Sequence, residues 1–356
     1  MTKRQLSSGK NGEEVAWTQK DIAEKEEDIR INVFDGCGIH HPAITRYVKE
    51  KLGSKTNPTS ILWRLPWVKG VTHEVDYTTF YKERGITEIT DVWGMKHKIN
   101  EVMIIMGESM YKGIKYFKKY GDYRDWERYW EIFRKYDHCI GVAKWNFSKE
   151  EEPIYTRGNY QIFQDLDLSY FEFSSLARKS FDWITKIIEG EDVHTYCFLG
   201  TLADNCEPLN DYVHAILKNP EVLKEYTVRS YMISLMEKYI DEMKCGKLWI
   251  NACFKFLVPD LIMFMETAAG LPANGFLAKD EFYSTNRYGN LTGEYLIERN
   301  PHICPSEHVV LKGVKNDISD KYFSHLDNIC MINGKSITPQ RLNGADYDKL
   351  KLCRII

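Results

Sequence analysis

Hydrophobic and polar positions alternate in short runs over the first third of the chain. Ser60–Leu65 and Lys69–Val75 are rich in β-branched and aromatic residues, which suits a half-buried pleated surface. Ile31–Phe34 and Glu101–Met106 read the same way, with Gly and Pro between the runs. The period then changes. Trp126, Tyr129, Trp130 and Phe133 fall at i, i+3, i+4 and i+7, which predicts one apolar helical face. Ser174 is placed to cap a helix that runs to Ile188 and stops at Gly190. Glu221–Lys244 predicts a long helix ending before Gly246. From Lys247 short apolar runs return, at Leu248–Val258, Gly275–Leu277, Tyr295–Glu298, Val309–Val314 and Ile329–Ile332. Four segments follow: a polar lead (1–28) expected to be frayed or helical, a β-rich region (29–113), a helical connector (114–244) and a second β-rich region (245–356).

Composition narrows the function classes. At 356 residues with 43% hydrophobic content, the chain can bury the cores of two or three domains. A net charge of -3 excludes a basic field over the whole surface, so nucleic-acid contact must come from local patches. The nine cysteines are odd in number and none stands in a C-x-x-C spacing. That pattern argues against a zinc site or a disulfide framework and fits reduced thiols in the cytosol. Met1–Arg30 lacks the apolar core of a secretory leader. The longest apolar stretch, Phe254–Met265, is cut by Lys255, Pro259 and Asp260. It is too short to span a bilayer, and no membrane partner is expected.

The candidate chemistry is spread along the chain. Asp346 and Asp348 stand two residues apart after the small-residue turn Asn343-Gly344-Ala345. Such carboxylates can converge on one Mg²⁺, which takes oxygen ligands in a tight octahedron; an exposed acidic turn is the plainer alternative. Lys69, in Trp67-Val68-Lys69-Gly70-Val71, sits on rigid β structure and could neutralise triphosphate charge. It could equally be a strand-end lysine lying along apolar surface. Lys112, in Ser109-Met110-Tyr111-Lys112-Gly113, admits the same two readings. Arg299-Asn300-Pro301 offers an Arg fork suited to a ribose or phosphate, or an ordinary turn. Between Lys112 and Lys135 basic residues interleave with Tyr and Trp. The aromatics share one helical face there, so a core stripe under a solvated basic face is the favoured account. His40-His41, His302 and His308 match no zinc spacing, and hydrogen-bonded structural roles are expected for them. Asp165-Leu166-Asp167 lacks a glycine turn and reads as structural.

Taken in order, these blocks resemble one family: the single-chain RNA polymerases of the two-barrel superfamily, including eukaryotic RNA-dependent RNA polymerases and their bacterial and bacteriophage relatives. Asp35-Gly36-Cys37-Gly38 resembles the D-G-x-G that opens the first barrel. Ser60–Val71 is similar to the S-x-F-Q-I-R…K-G-V segment, and Ser109-Met110-Tyr111-Lys112 to the S-M-x-K block. Arg299-Asn300-Pro301-His302 resembles an R-x-P block, and Asn343–Asp348 the start of the D-x-D-G-D metal loop. The resemblance implies an α+β fold with two double-psi β-barrels joined by a helical segment. It implies that Lys69 and Lys112 serve the incoming nucleotide, that Arg299 and Asn300 meet its sugar, and that Asp346 and Asp348 bind Mg²⁺. The implied reaction extends an RNA 3′-hydroxyl with nucleoside triphosphates on an RNA or DNA template, in the cytoplasm of a bacterial or phage-infected cell.

One departure stands out. After Asp348 the family has Gly then Asp, whereas this chain has Lys349 then Leu350 and ends at Ile356. On this reading the third metal-binding carboxylate is absent and the second barrel is incomplete. The chain alone is then expected to be inactive, with the remainder supplied by a second chain. The alternative is a catalytically inactive, polymerase-derived protein that binds nucleic acid or serves in assembly.

Overall fold

The computed structural model describes residues 4–8, 14–18, 32–113, 123–135, 140–146, 155–164, 166–200, 210–286, 289–299, 304–342 and 349–354. The chain divides into two compact units, residues 1–32 and residues 33–356. In the first, Arg4–Ser8 pairs antiparallel with Glu14–Thr18. This corrects the frayed or helical expectation for the polar lead. Val15-Ala16-Trp17-Thr18 favours a strand, and Gly9 and Asn11-Gly12 are turn residues that interrupt a helix.

The second unit opens with a five-stranded sheet. Its strands are β1 (Cys37–His40), β2 (Ser60–Leu65), β3 (Val68–Glu74), β4 (Ile104–Met106) and β5 (Gly141–Asn146), in the spatial order β4-β1-β3-β2-β5. Strands β1 and β3 run parallel and the other pairs antiparallel. The helix Pro42–Leu52 makes the crossover that a parallel pair requires. The sequence pattern placed the first strand at Ile31–Phe34, but residues 33–36 form a turn. Gly36 takes a left-handed φ of 71° there, and the strand begins after it. Among the described residues this region is a sheet, where a first barrel was expected.

The helical connector has its own apolar core, built from Ile162, Ala177, Ile184, Val213, Ile216, Val228 and Met232 among others. Its long helices are Tyr170–Ile188 and Tyr226–Lys244. Ser169, not Ser174, caps the first. Its hydroxyl accepts from the Glu172 N–H, and the Glu172 carboxylate accepts the Ser169 N–H in return. The second starts five residues later than predicted, because Pro220–Lys224 forms a separate 3₁₀ turn and Glu225 is extended.

Six strands then close into a barrel: β6 (Ala252–Pro259), β7 (Glu281–Tyr283), β8 (Gly293–Glu298), β9 (Val309–Gly313), β10 (Ile329–Ile332) and β11 (Lys349–Arg354). The order is β6-β10-β7-β9-β8-β11, with β11 returning to β6. Pairs β6–β10 and β7–β9 are parallel, and the remaining pairs are antiparallel. The expectation of an incomplete second barrel is therefore corrected. Lys349–Arg354 pairs with β6 on one side and β8 on the other, satisfying two edges that would otherwise present open backbone groups. Gly275–Leu277, expected as a strand, is instead held by a side chain: the Phe276 and Leu277 N–H groups donate to Asp260 Oδ2 at 2.7 and 3.1 Å.

A single apolar cluster runs from the sheet into the barrel, joining Ile39, Tyr77, Phe80 and Tyr81 to Leu257, Phe282, Ile297, Leu311 and Ile329. The Tyr81 hydroxyl donates to the Met265 carbonyl at 3.0 Å within it. No helix among the described residues is long and apolar enough to cross a membrane.

Candidate functional site

The first cluster of candidate residues forms where three separated sequence blocks meet. Pro66 and Trp67 make a two-residue connection between β2 and β3, in which Leu65 pairs with Val68. Lys69 follows on β3 with Arg64 directly across from it, and both are exposed. Tyr111 bridges Val68, and the Lys112 N–H donates to the Trp67 carbonyl at 2.6 Å. Lys69 and Lys112, 43 positions apart in sequence, are thereby fastened to one corner of the sheet, and Lys112 is also exposed.

Packing explains why glycines and a methionine surround the lysines. The Gly36 N–H donates to Ser109 Oγ at 2.8 Å, and the Gly36 carbonyl accepts from the Val71 N–H at 2.9 Å. Met110 is fully buried beneath this junction. A Cβ on Gly70 would stand 2.5 Å from Met110 Cγ and 2.7 Å from the Gly36 oxygen, closer than atoms pack. The D-G-x-G, K-G-V and S-M-x-K blocks are thus one interlocked unit, and its two lysines project from the outside. Phe34, just before it, packs edge-on against Phe264 of the helix Leu261–Ala268, with ring centroids 5.2 Å apart.

The second cluster lies on the barrel. Arg299 directly follows β8, half-buried. The preceding Glu298 is buried, and its Oε1 is 2.8 Å from His308 Nδ1. Arg341 Nε donates to the Ser306 carbonyl and Nη2 to the His308 carbonyl, both at 3.1 Å. Arg341 precedes the acidic turn, and Lys351, three residues after Asp348, pairs with Glu298. Both flanks of the turn are therefore tied to the segment that carries Arg299. Asp346, Asp348 and Asn300 themselves lie outside the described residues, as do His302 and Asp165.

A metal fit can be judged only from the donors. Two carboxylates supply part of an oxygen shell suited to Mg²⁺. The next candidate position holds Leu350, which pairs with Lys255 in the barrel wall. Among the described residues no group of three or more His, Cys, Asp or Glu is placed to hold a metal. The donor set is incomplete for a closed site, and no step is derived through it.

The remaining candidates are structural. Both ring nitrogens of His40 are occupied, Nδ1 by Thr72 Oγ1 at 2.7 Å and Nε2 by Thr45 Oγ1 at 3.0 Å. Burial pushes the pKa of His40 and of His73 down to about 3, so both are neutral at pH 7. In Tyr123–Arg134 the buried Tyr129 and Phe133 form the core stripe, while Glu127, Arg128, Glu131 and Arg134 are exposed. Sequence reasoning passed over Trp67, whose φ of 54° makes it the one non-glycine with positive φ among the described residues. Pro66 followed by a positive φ is the signature of a type II turn, where glycine is usual, and a Trp in that place was the available signal. Arg341 carried no signal, because its partners are backbone carbonyls 33 and 35 residues away.

Comparison with known proteins gives the class first. The fold is similar to that of the RNA-dependent RNA polymerase QDE-1 from Thielavia terrestris, with a TM-score of 0.50 and 14% sequence identity over 90% of this chain and 33% of that one. In sequence the chain is 28% identical over 309 residues to the DNA-directed RNA polymerase YonO of Bacillus phage SPbeta, covering 85% of this chain. No protein-family model matches. Together the two similarities place the chain in the two-barrel RNA polymerase family. It spans about a third of the length of the curated relative it matches, 34%.

Proposed function

We propose that the chain carries the nucleotide-handling groups of an RNA polymerase-type nucleotidyltransferase, which extends an RNA 3′-hydroxyl on a nucleic-acid template in the cytoplasm of a bacterial or phage-infected cell. The observation that carries this reading is the interlocked corner that fastens Lys69 to Lys112. Two exposed ammonium groups held on rigid strands neutralise triphosphate charge without a reorganisation cost when the nucleotide arrives. Arg299, anchored by the Glu298–His308 pair behind it, offers a planar donor fork to the ribose or a phosphate, with Asn300 beside it. Asp346 and Asp348 would hold Mg²⁺, which draws charge from the reacting phosphate when bound. The parallel pairs β6–β10 and β7–β9 within a closed six-stranded barrel support the double-psi reading of the second barrel, and the parallel β1–β3 pair supports a related plan for the first.

The test is binding of ATP and of single-stranded RNA and DNA oligonucleotides, by calorimetry and anisotropy, to the unaltered chain and to the double variant Lys69→Ala, Lys112→Ala. Binding that falls at least tenfold in the variant, with an unchanged urea midpoint, is the expected result. A chain that binds no nucleotide, or binds equally well without the two lysines, would end this assignment.

A further inference from the structure

The hairpin tip at Pro66-Trp67 holds an unexplained side chain. Trp67 occupies a left-handed backbone position at φ 54°, which a bulky residue adopts only under constraint. Glycine would fit there without strain, and the ring is 37% exposed, so its burial does not explain it. The Lys112 N–H fixes the Trp67 carbonyl, and Lys69 lies two residues further along β3. A rigid aromatic surface therefore stands within one turn of two exposed cations on the same corner.

We propose that Trp67 is a base-stacking residue: it receives the nucleobase of a nucleotide whose phosphates are met by Lys69 and Lys112. The inference rests on the nucleotide reading above and adds a contact to the base. Every nucleobase has a π-face, so the contact is tolerant of sequence. The Lys112 bond to the Trp67 backbone sets the ring's attachment point relative to the cations. Two sources share this chemistry, a free nucleoside triphosphate and a nucleotide within a strand.

The experiment compares the unaltered chain with Trp67→Gly, Trp67→Phe and Lys69→Ala/Lys112→Ala. The probes are ATP, inorganic triphosphate and a fluorescein-labelled single-stranded RNA 12-mer, with urea midpoints recorded in parallel. Trp67→Gly relieves the left-handed backbone, so its midpoint is expected to equal or exceed that of the unaltered chain. It should nonetheless bind ATP, the RNA or both about tenfold more weakly. Trp67→Phe should recover most of that loss. Inorganic triphosphate, which has no base, should lose affinity with the lysine variant and keep it with Trp67→Gly. A loss confined to ATP assigns the ring to a free nucleotide, and a loss confined to RNA assigns it to a strand; both support stacking. Undiminished binding of ATP and RNA by Trp67→Gly overturns it, as does an equal fall for inorganic triphosphate. If the lysine variant loses binding while Trp67→Gly does not, the stacking role alone fails. If the unaltered chain binds nothing, the nucleotide reading fails with it.

Discussion

Lowering the pH from 7 to 5 should destabilise the first sheet through two buried histidines. His40 and His73 lie on the parallel neighbours β1 and β3, with fractional exposures of 0% and 2%. Burial depresses both from 6.5 to about 3. The folded state keeps them neutral, whereas the unfolded chain protonates them near pH 6.5. A depressed histidine therefore contributes no penalty above its unfolded pKa, and stability is lost progressively as pH falls below 6.5 towards 3. At pH 5 the unfolded chain binds almost one proton more at each site, which amounts to about 2 kcal/mol per histidine, or about 4 kcal/mol together. That is a large part of the roughly 5–15 kcal/mol that holds a domain folded. Urea denaturation at pH 7, 6 and 5, followed by far-UV circular dichroism, measures the loss. His73→Gln replaces a ring bonded to Ser60 Oγ at 2.8 Å by an amide that does not titrate, and should roughly halve the pH slope. An unchanged slope in that variant, or a midpoint independent of pH over this range, would refute the reasoning.

Gly70→Ala should cost about 1–3 kcal/mol by overpacking, since its Cβ meets Met110 Cγ at 2.5 Å and the Gly36 oxygen at 2.7 Å; a urea midpoint equal to that of the unaltered chain would show that the junction yields. Asp260→Ala should cost at least about 3 kcal/mol, because the buried carboxylate accepts from the N–H groups of Ile262, Met263, Phe276 and Leu277. Asp260→Asn keeps an acceptor oxygen and should cost less, as thermal denaturation can show. Arg341→Ala should raise hydrogen exchange at the amides of residues 304–308, because two bonds that pin this segment are lost; unchanged protection would mean that the Glu298–His308 pair suffices. Lys69→Ala and Lys112→Ala, both at exposed positions, should move stability by no more than about 0.5 kcal/mol, which separates their role from that of Gly70.

The sequence by itself determined the local elements whose pattern is strong. Ser60–Leu65, Val309–Gly313 and Ile329–Ile332 stand where alternation or continuous apolar runs put them. The helix over Tyr129 and Phe133 follows its period. The lysine-bearing blocks were also legible, because backbone chemistry demands their residue types: a left-handed turn at Gly36 and a close approach at Gly70. Capping was misassigned by five residues, since Ser169 and Ser174 are equally able to cap and only the Glu172 partner decides between them.

Tertiary structure decided everything that depends on chain segments meeting at long range. Lys-Leu-Lys-Leu-Cys-Arg has the period of a strand, but a strand gains little until two edges await it, and β6 and β8 supply those edges. The pairing of Lys69 with Lys112 and of Arg341 with the Arg299 segment likewise rests on backbone hydrogen bonds. Every residue offers such groups, so they leave no mark in the order of side chains.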